Sequence, residues 1–347
     1  MRNILIYYKI ERRNALKSKA IFKFGVIALS IVLVACSGGS SDEAGCPAIE
    51  DRKINVVATT PMVGEFVSQV GGDNINLTVI MPPEADPHTY EPAPQDAGTI
   101  ADADLVFYTG LKYEPAAVVK LLESSACSTD VLAEVGENVY PIEFKEGGHD
   151  DHGDHGEEGH DDEEGHDDHD HGAYDPHFWF DPNRVAYAAE YIEEKLVEFD
   201  PSNASSYEKA GSAYTDEIKG LTGQVSDLIS TVPSQNRKLI TTHESLGYLE
   251  AKFGLEVLST IIPSLDSANE ISPAQLVDVI DVIEDNNIKV IFIESEAPSV
   301  YAETIVSETG IKAVEGLWVE TLKAGQSYPD FLISAVELIV ENLRNTD

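Results

Sequence analysis

The feature that most constrains this chain is an alternation of short apolar runs with stretches of helical period. Residues 53–59 (KINVVAT) read as a buried strand, and residues 61–70 (PMVGEFVSQV), ended by Gly71-Gly72, as the helix that follows. Residues 77–81 and 105–109 (LVFYT) repeat the strand signal, with a helix over 96–103 between them. Beyond Pro233 the pattern restarts, with strands over 238–242 (KLITT), 255–260 (LEVLST), 290–294 (VIFIE) and 313–319, and helices over 273–285, 304–310 and 330–343. Ser272-Pro273-Ala274-Gln275 marks one helix start with a serine cap, a proline at the first position and a glutamine at the third. Strands alternating with helices predict an α/β fold with small parallel sheets flanked by helices.

The middle of the chain reads differently. A helix begins near Pro182, with Val185, Ala188, Ala189, Ile192 and Leu196 on one face. Residues 205–229 then hold Tyr207, Ala210, Tyr214, Ile218, Leu221, Val225 and Leu228 at helical spacing, with no proline until Pro233. A helix of ~25 residues spans nearly ~40 Å, which suits a rigid strut between two lobes. Gly211, Gly220 and Gly223 leave open whether it is unbroken. The expected organisation is therefore a leader over 1–35, a tether over 36–51, an N-terminal lobe over 52–201, a connecting helix over 202–232 and a C-terminal lobe over 233–347.

Residues 21–35 are apolar apart from Lys23 and follow Arg12, Arg13, Lys17 and Lys19, the layout of a signal peptide. The run is shorter than the ~20 residues a membrane-spanning helix needs. It ends Leu33-Val34-Ala35-Cys36, and a flexible polar run follows. This resembles a bacterial lipobox, which implies that Cys36 is lipidated and that the protein is exported, held at the outer face of the cytoplasmic membrane or in the periplasm. Cys46 and Cys127 are then an even pair in an oxidising compartment, either bridged or two unrelated thiols.

With 62 acidic and 23 basic residues the net charge is −39, which argues against nucleic acid or anionic lipid and for cations as ligands. Part of that excess is concentrated in the segment 147–172, where residues 149–171 carry twelve Asp/Glu, seven histidines and no Lys or Arg. Nothing there can form a core, so it reads as a solvated loop, a cation collector or a plain spacer.

Of ten histidines, three lie outside that loop. His88 sits in ADPHTYEP and His177 in DPHFWFDP, both braced by prolines that stiffen the loop. His243 follows KLITT in THESLGY. In open α/β sheets ligands gather beyond the carboxyl ends of strands, where His88 and His243 are placed. Three imidazoles from separate segments make a site for a borderline-soft divalent ion. Glu320, after the last strand, is the candidate fourth ligand. Glu294 is the runner-up, or else a hydrogen-bond partner of a ligand imidazole.

DPHTYEP, DPHFWFDP and HESLGY, in this order and separated by a His/Asp-rich loop, resemble the zinc and manganese (cluster A-I) solute-binding proteins of ABC importers. The resemblance covers residues 52–343. It implies two lobes bridged by one long helix, with a metal site in the cleft between them, and it places His88, His177 and His243 on ligand positions. A histidine at 243, where manganese members tend to carry a carboxylate, points to the zinc branch. Family members commonly have aspartate where this chain has Glu320, so water is the other candidate for the fourth position. The implied partners are a membrane permease and its ATPase, with Zn2+ as transported ligand and Mn2+ as the alternative, no catalysis, and a monomer held to the membrane only by lipid. A surface metal-dependent adhesin would use the same site. A zinc hydrolase with Glu244 as base is the competing class, but no HExxH pattern occurs.

Overall fold

Four parallel strands make the first sheet, in the order β2-β1-β3-β4: β1 (Ile54–Ala58), β2 (Ile75–Val79), β3 (Leu105–Tyr108) and β4 (Leu132–Glu134). The computed structural model describes Cys46, Ile49 and residues 52–144, 174–297 and 299–344. The expected leader, Cys36 and the histidine-rich segment lie outside the described residues. β1 and β3 are the inner strands and are almost wholly buried, matching their unbroken apolar runs. β2 is an edge strand and is half exposed. It begins two residues before the strand expected at 77–81, and Ile80 and Met81 leave the ladder while still donating to Ala58 O and Thr59 O. β4 has only three residues, too few for a period to show.

The helices of this half are α1 (Pro61–Gly71), α2 (Pro94–Ala101), α3 (Ala116–Ser125) and α4 (Pro182–Phe199). Three of them start on a proline whose missing N–H costs nothing in the first turn. Thr60 caps α1 through Val63 N–H, and Asp181 caps α4 through Asn183 N–H. α5 (Ala204–Ser230) follows as one unbroken helix of 27 residues. Its glycines do not interrupt it. A Cβ on Gly211 would come within 2.3 Å of Glu193 Oε2 on α4, whereas at Gly220 and Gly223 it would meet open space.

The second half holds β5 (Lys238–His243), α6 (Gly247–Phe253), β6 (Glu256–Ile262), α7 (Pro273–Asp285), β7 (Val290–Glu294), α8 (Ala302–Thr309), β8 (Lys312–Leu317) and α9 (Tyr328–Leu343). β5 pairs with β6 and β7 with β8, both in parallel. The two pairs are joined at their carboxyl ends by side chains. Glu294 N–H donates to Thr242 Oγ1 at 3.0 Å and His243 N–H to Glu294 Oε1 at 3.3 Å. The capping box at Ser272 and Gln275 is present, with both reciprocal bonds made.

One apolar core draws on both halves, with Phe66 and Phe178 from the first, Tyr214 and Ile218 from α5, and Phe292 and Phe331 from the second. Burying each such side chain contributes on the order of 2 kcal/mol, so this shared core is the main term holding the halves together. The described residues accordingly belong to one compact unit. Cys46 and Cys127 are bonded with Cα atoms 5.0 Å apart, pinning the segment before β1 to the end of α3. No described helix is long and apolar enough to cross a membrane.

Candidate metal centre

Two of the histidines are placed by the same local device. In Asp86-Pro87-His88 the Asp86 carboxylate accepts the His88 N–H at 3.0 Å, and in Asp175-Pro176-His177 the Asp175 carboxylate accepts the His177 N–H at 2.8 Å. The aspartate closes a turn on its own backbone while proline fixes the middle residue. Asp86 also accepts Ser267 Oγ–H at 3.0 Å, and Glu84 N–H donates to Leu322 O at 3.3 Å, so the loop carrying His88 is tied to the second half. His243 is the last residue of β5. Glu320 lies just past β8, in a loop whose amides at Val319, Glu320 and Thr321 all donate to Glu296 Oε1, at 3.0, 3.0 and 3.2 Å. Trp179 Nε1–H holds the same loop from the other half, through Val319 O at 2.7 Å.

These segments bring His88, His177, His243 and Glu320 together. One donor atom from each lies within 4.8 Å of all the others. His177, His243 and Glu320 are fully buried. Glu320 Oε1 stands 3.6, 3.2 and 2.6 Å from the Nε2 atoms of His88, His177 and His243, yet none of these four atoms makes a well-aligned hydrogen bond among the described residues. Four buried polar atoms without partners carry a desolvation penalty that a protein does not ordinarily leave uncompensated. A shared cation satisfies all four at once, and the set of three imidazole nitrogens and one carboxylate oxygen fits a tetrahedral ion.

The outer faces of two rings are engaged. His177 Nδ1 lies 2.8 Å from Asp175 Oδ1, and His243 Nδ1 lies 2.5 Å from Glu294 Oε2. Placing the proton on Nδ1 leaves the Nε2 lone pair facing inward, and the carboxylates make the rings more basic. Burial pushes the His177 imidazolium down, but Glu320 and then Asp175 outweigh it and raise its pKa to about 9. Burial acts the same way on His243, and Glu294 with Glu320 raises it well above its ordinary value. Burial would raise Glu320, but the rings of His177, His88 and His243 hold it well below the usual carboxylate range. The centre thus balances a buried negative charge against positive charge supplied by protons or by a metal ion.

Residues 56–342 match the family described as the periplasmic component A of a zinc-uptake complex, ZnuA. The chain belongs to this family. As a ZnuA-family protein it is a metal-binding solute-binding protein of an ABC importer and not an enzyme. It is similar to the manganese ABC transporter substrate-binding lipoprotein PsaA of Streptococcus mitis, 28% identical over 322 residues that cover 90% of this chain and 95% of that protein. It is also similar to the zinc-binding lipoprotein AdcA of Streptococcus pneumoniae serotype 4, 29% identical over 324 residues, 91% of this chain and 59% of that one. Its fold is like that of the periplasmic zinc binding protein TroA from Treponema pallidum, with a TM-score of 0.70 and 22% identity over 84% of this chain and 100% of that chain.

Within this ZnuA-family chain, Glu294 faces the outer nitrogen of His243 and not the four-atom centre, so of its two expected roles it occupies that of hydrogen-bond partner. Glu244 accepts from Thr260 Oγ1 at 3.1 Å and is not among the four. Sequence reasoning missed Tyr113. Its hydroxyl donates toward Glu320 Oε2 and Glu320 O, both at 2.9 Å. Burial and the neighbouring Glu320 charge push this phenol well above its ordinary pKa, which keeps it a donor. Tyr113 follows the carboxyl end of β3, so the strand-end rule that singled out His88 and His243 would have found it.

Proposed function

We propose that this protein captures Zn2+ outside the cytoplasm through His88, His177, His243 and Glu320 and delivers it to the permease and ATPase of an ABC importer. The observation that carries this reading is the set of four unpartnered donor atoms, one per residue, that lie within 4.8 Å of one another. Zn2+ takes four ligands from this nitrogen-rich mixture readily, whereas Mn2+ prefers more oxygen ligands and a higher coordination number. The ion is cargo, so the site has to bind tightly and still let go. A centre built from both halves of the chain suits that, because parting the halves separates His88 and His177 from His243 and Glu320. The lobes proposed for this are residues 52–201 and 233–347, with the helix over 202–232 between them.

Lipidation at Cys36 would tether a monomer beside the permease, and the seven histidines of the acidic segment would concentrate cations near the cleft. Manganese is the second reading, and the similarity to PsaA favours it. Competitive titration with Zn2+ and Mn2+ separates the two. Zinc specificity predicts one tight Zn2+ equivalent that excess Mn2+ does not displace, and ready displacement by Mn2+ would transfer the function to manganese.

A further inference from the structure

Glu320 has two carboxylate oxygens, and only Oε1 faces the three histidines. Oε2 lies 2.9 Å from the hydroxyl of Tyr113, which is equally close to the backbone oxygen of the same residue. That hydroxyl comes from the other half of the chain, 207 residues away. Its ring is fixed by edge contacts to His88, Trp179 and His177, with centroids 4.9, 5.2 and 5.9 Å away.

The backbone behind it is equally constrained. Gly110, Leu111 and Lys112 all have positive φ, at 76°, 55° and 64°, and this turn brings Tyr113 back to Glu320 and His88. Glu114 holds the turn, accepting from Thr109 N–H at 2.6 Å and Gly110 N–H at 2.9 Å. On the opposite side, Glu296 fixes the backbone of Glu320. Glu320 is therefore held at its backbone amide by Glu296 and at one carboxylate oxygen by the phenol, which also lies against its backbone oxygen.

We propose that Tyr113 is a specificity-determining residue, whose phenol restricts Glu320 to a single ion-facing oxygen and so favours a four-coordinate ion over one that takes five or six ligands. Three imidazole nitrogens and one oxygen complete a tetrahedron. An ion such as Mn2+ needs the second carboxylate oxygen or added water, and the buried walls of the centre leave the carboxylate as the nearer source. The inference rests on the proposed binding function and deepens it.

The test compares the full chain with its Tyr113→Phe variant by competitive Zn2+ and Mn2+ titration, together with infrared difference spectra of the carboxylate on loading with each ion. In the variant Glu320 should turn bidentate, and the ratio of zinc to manganese affinity should fall by roughly tenfold or more, the scale of one hydrogen bond to a charged group. An unchanged ratio, or an equal loss for both ions, would overturn the proposal and leave Tyr113 a structural residue. If the variant does not fold, the parent protein still decides: a single-oxygen carboxylate signature with Zn2+ supports the proposal, and a bidentate one overturns it. A parent protein with no tight divalent equivalent would overturn the binding function itself, an outcome seen before any variant is compared.

Discussion

Asp175 and Glu294 lie outside the four-atom centre, yet each holds the outer nitrogen of an imidazole that belongs to it. Replacing Asp175 with Asn keeps the shape and removes the charge, and should weaken metal binding about 10–100-fold, read by chelator competition. The raised pKa of His177 gives a second prediction. An unfolded imidazole titrates near ~6.5, whereas His177 in the folded protein titrates at about 9. Its protonated form stabilises the metal-free protein fully below pH ~6.5, and that contribution is lost as pH rises through about 9. An incoming cation must displace this proton, so apparent affinity should climb across the same window and level off above it. Calorimetry in two buffers of different protonation enthalpy counts the protons released, and none released at pH 7 would contradict this picture.

At the scale of elements, Glu296 is the fastening of the Glu320 loop. Burial, then the nearby Glu320 charge, raises its carboxyl to about 8, the cost of placing a second carboxylate beside the first. Glu296→Ala removes the common acceptor of three amides and should destabilise the metal-free protein by about 1–3 kcal/mol in urea unfolding. A variant that unfolds like the parent would show that these bonds contribute nothing net. Glu296 was not legible in the sequence because its role depends on a loop 23 to 25 residues further on curling back to it. Tyr113 is a different case: its place past the carboxyl end of β3 was a signal in the sequence, whereas the run of three positive φ angles that turns it to the centre was not. What was legible is what repeats locally: the buried runs of β1, β3 and β7, the helical period sustained along the 27 residues of α5, and the two Asp-Pro-His turns. Short elements such as β4 and α6 carry too few residues to show a period.

For the molecule as a whole, a core shared between the halves and a metal centre built from both make stability and binding interdependent. A ligand that binds only the folded state raises its stability with concentration, so Zn2+ should raise the melting temperature, and a strong chelator should reverse the rise. The Cys46–Cys127 bond spans a sequence separation of 81 residues, worth about 4.5 kcal/mol at most in chain entropy. Reducing it should lower the melting temperature while leaving the number of bound ions unchanged, because neither cysteine is near the centre's four residues in sequence or bonding. The central claim is that the buried three-histidine centre, not the histidine-rich segment, is the tight site. Its most direct test is a chelator-competed zinc titration of the protein lacking residues 147–172, beside the same protein carrying His243→Ala. One tight equivalent that survives the deletion and disappears with His243 is the predicted result; a shortened protein that binds no zinc tightly would contradict it and make the histidine-rich segment the binding element.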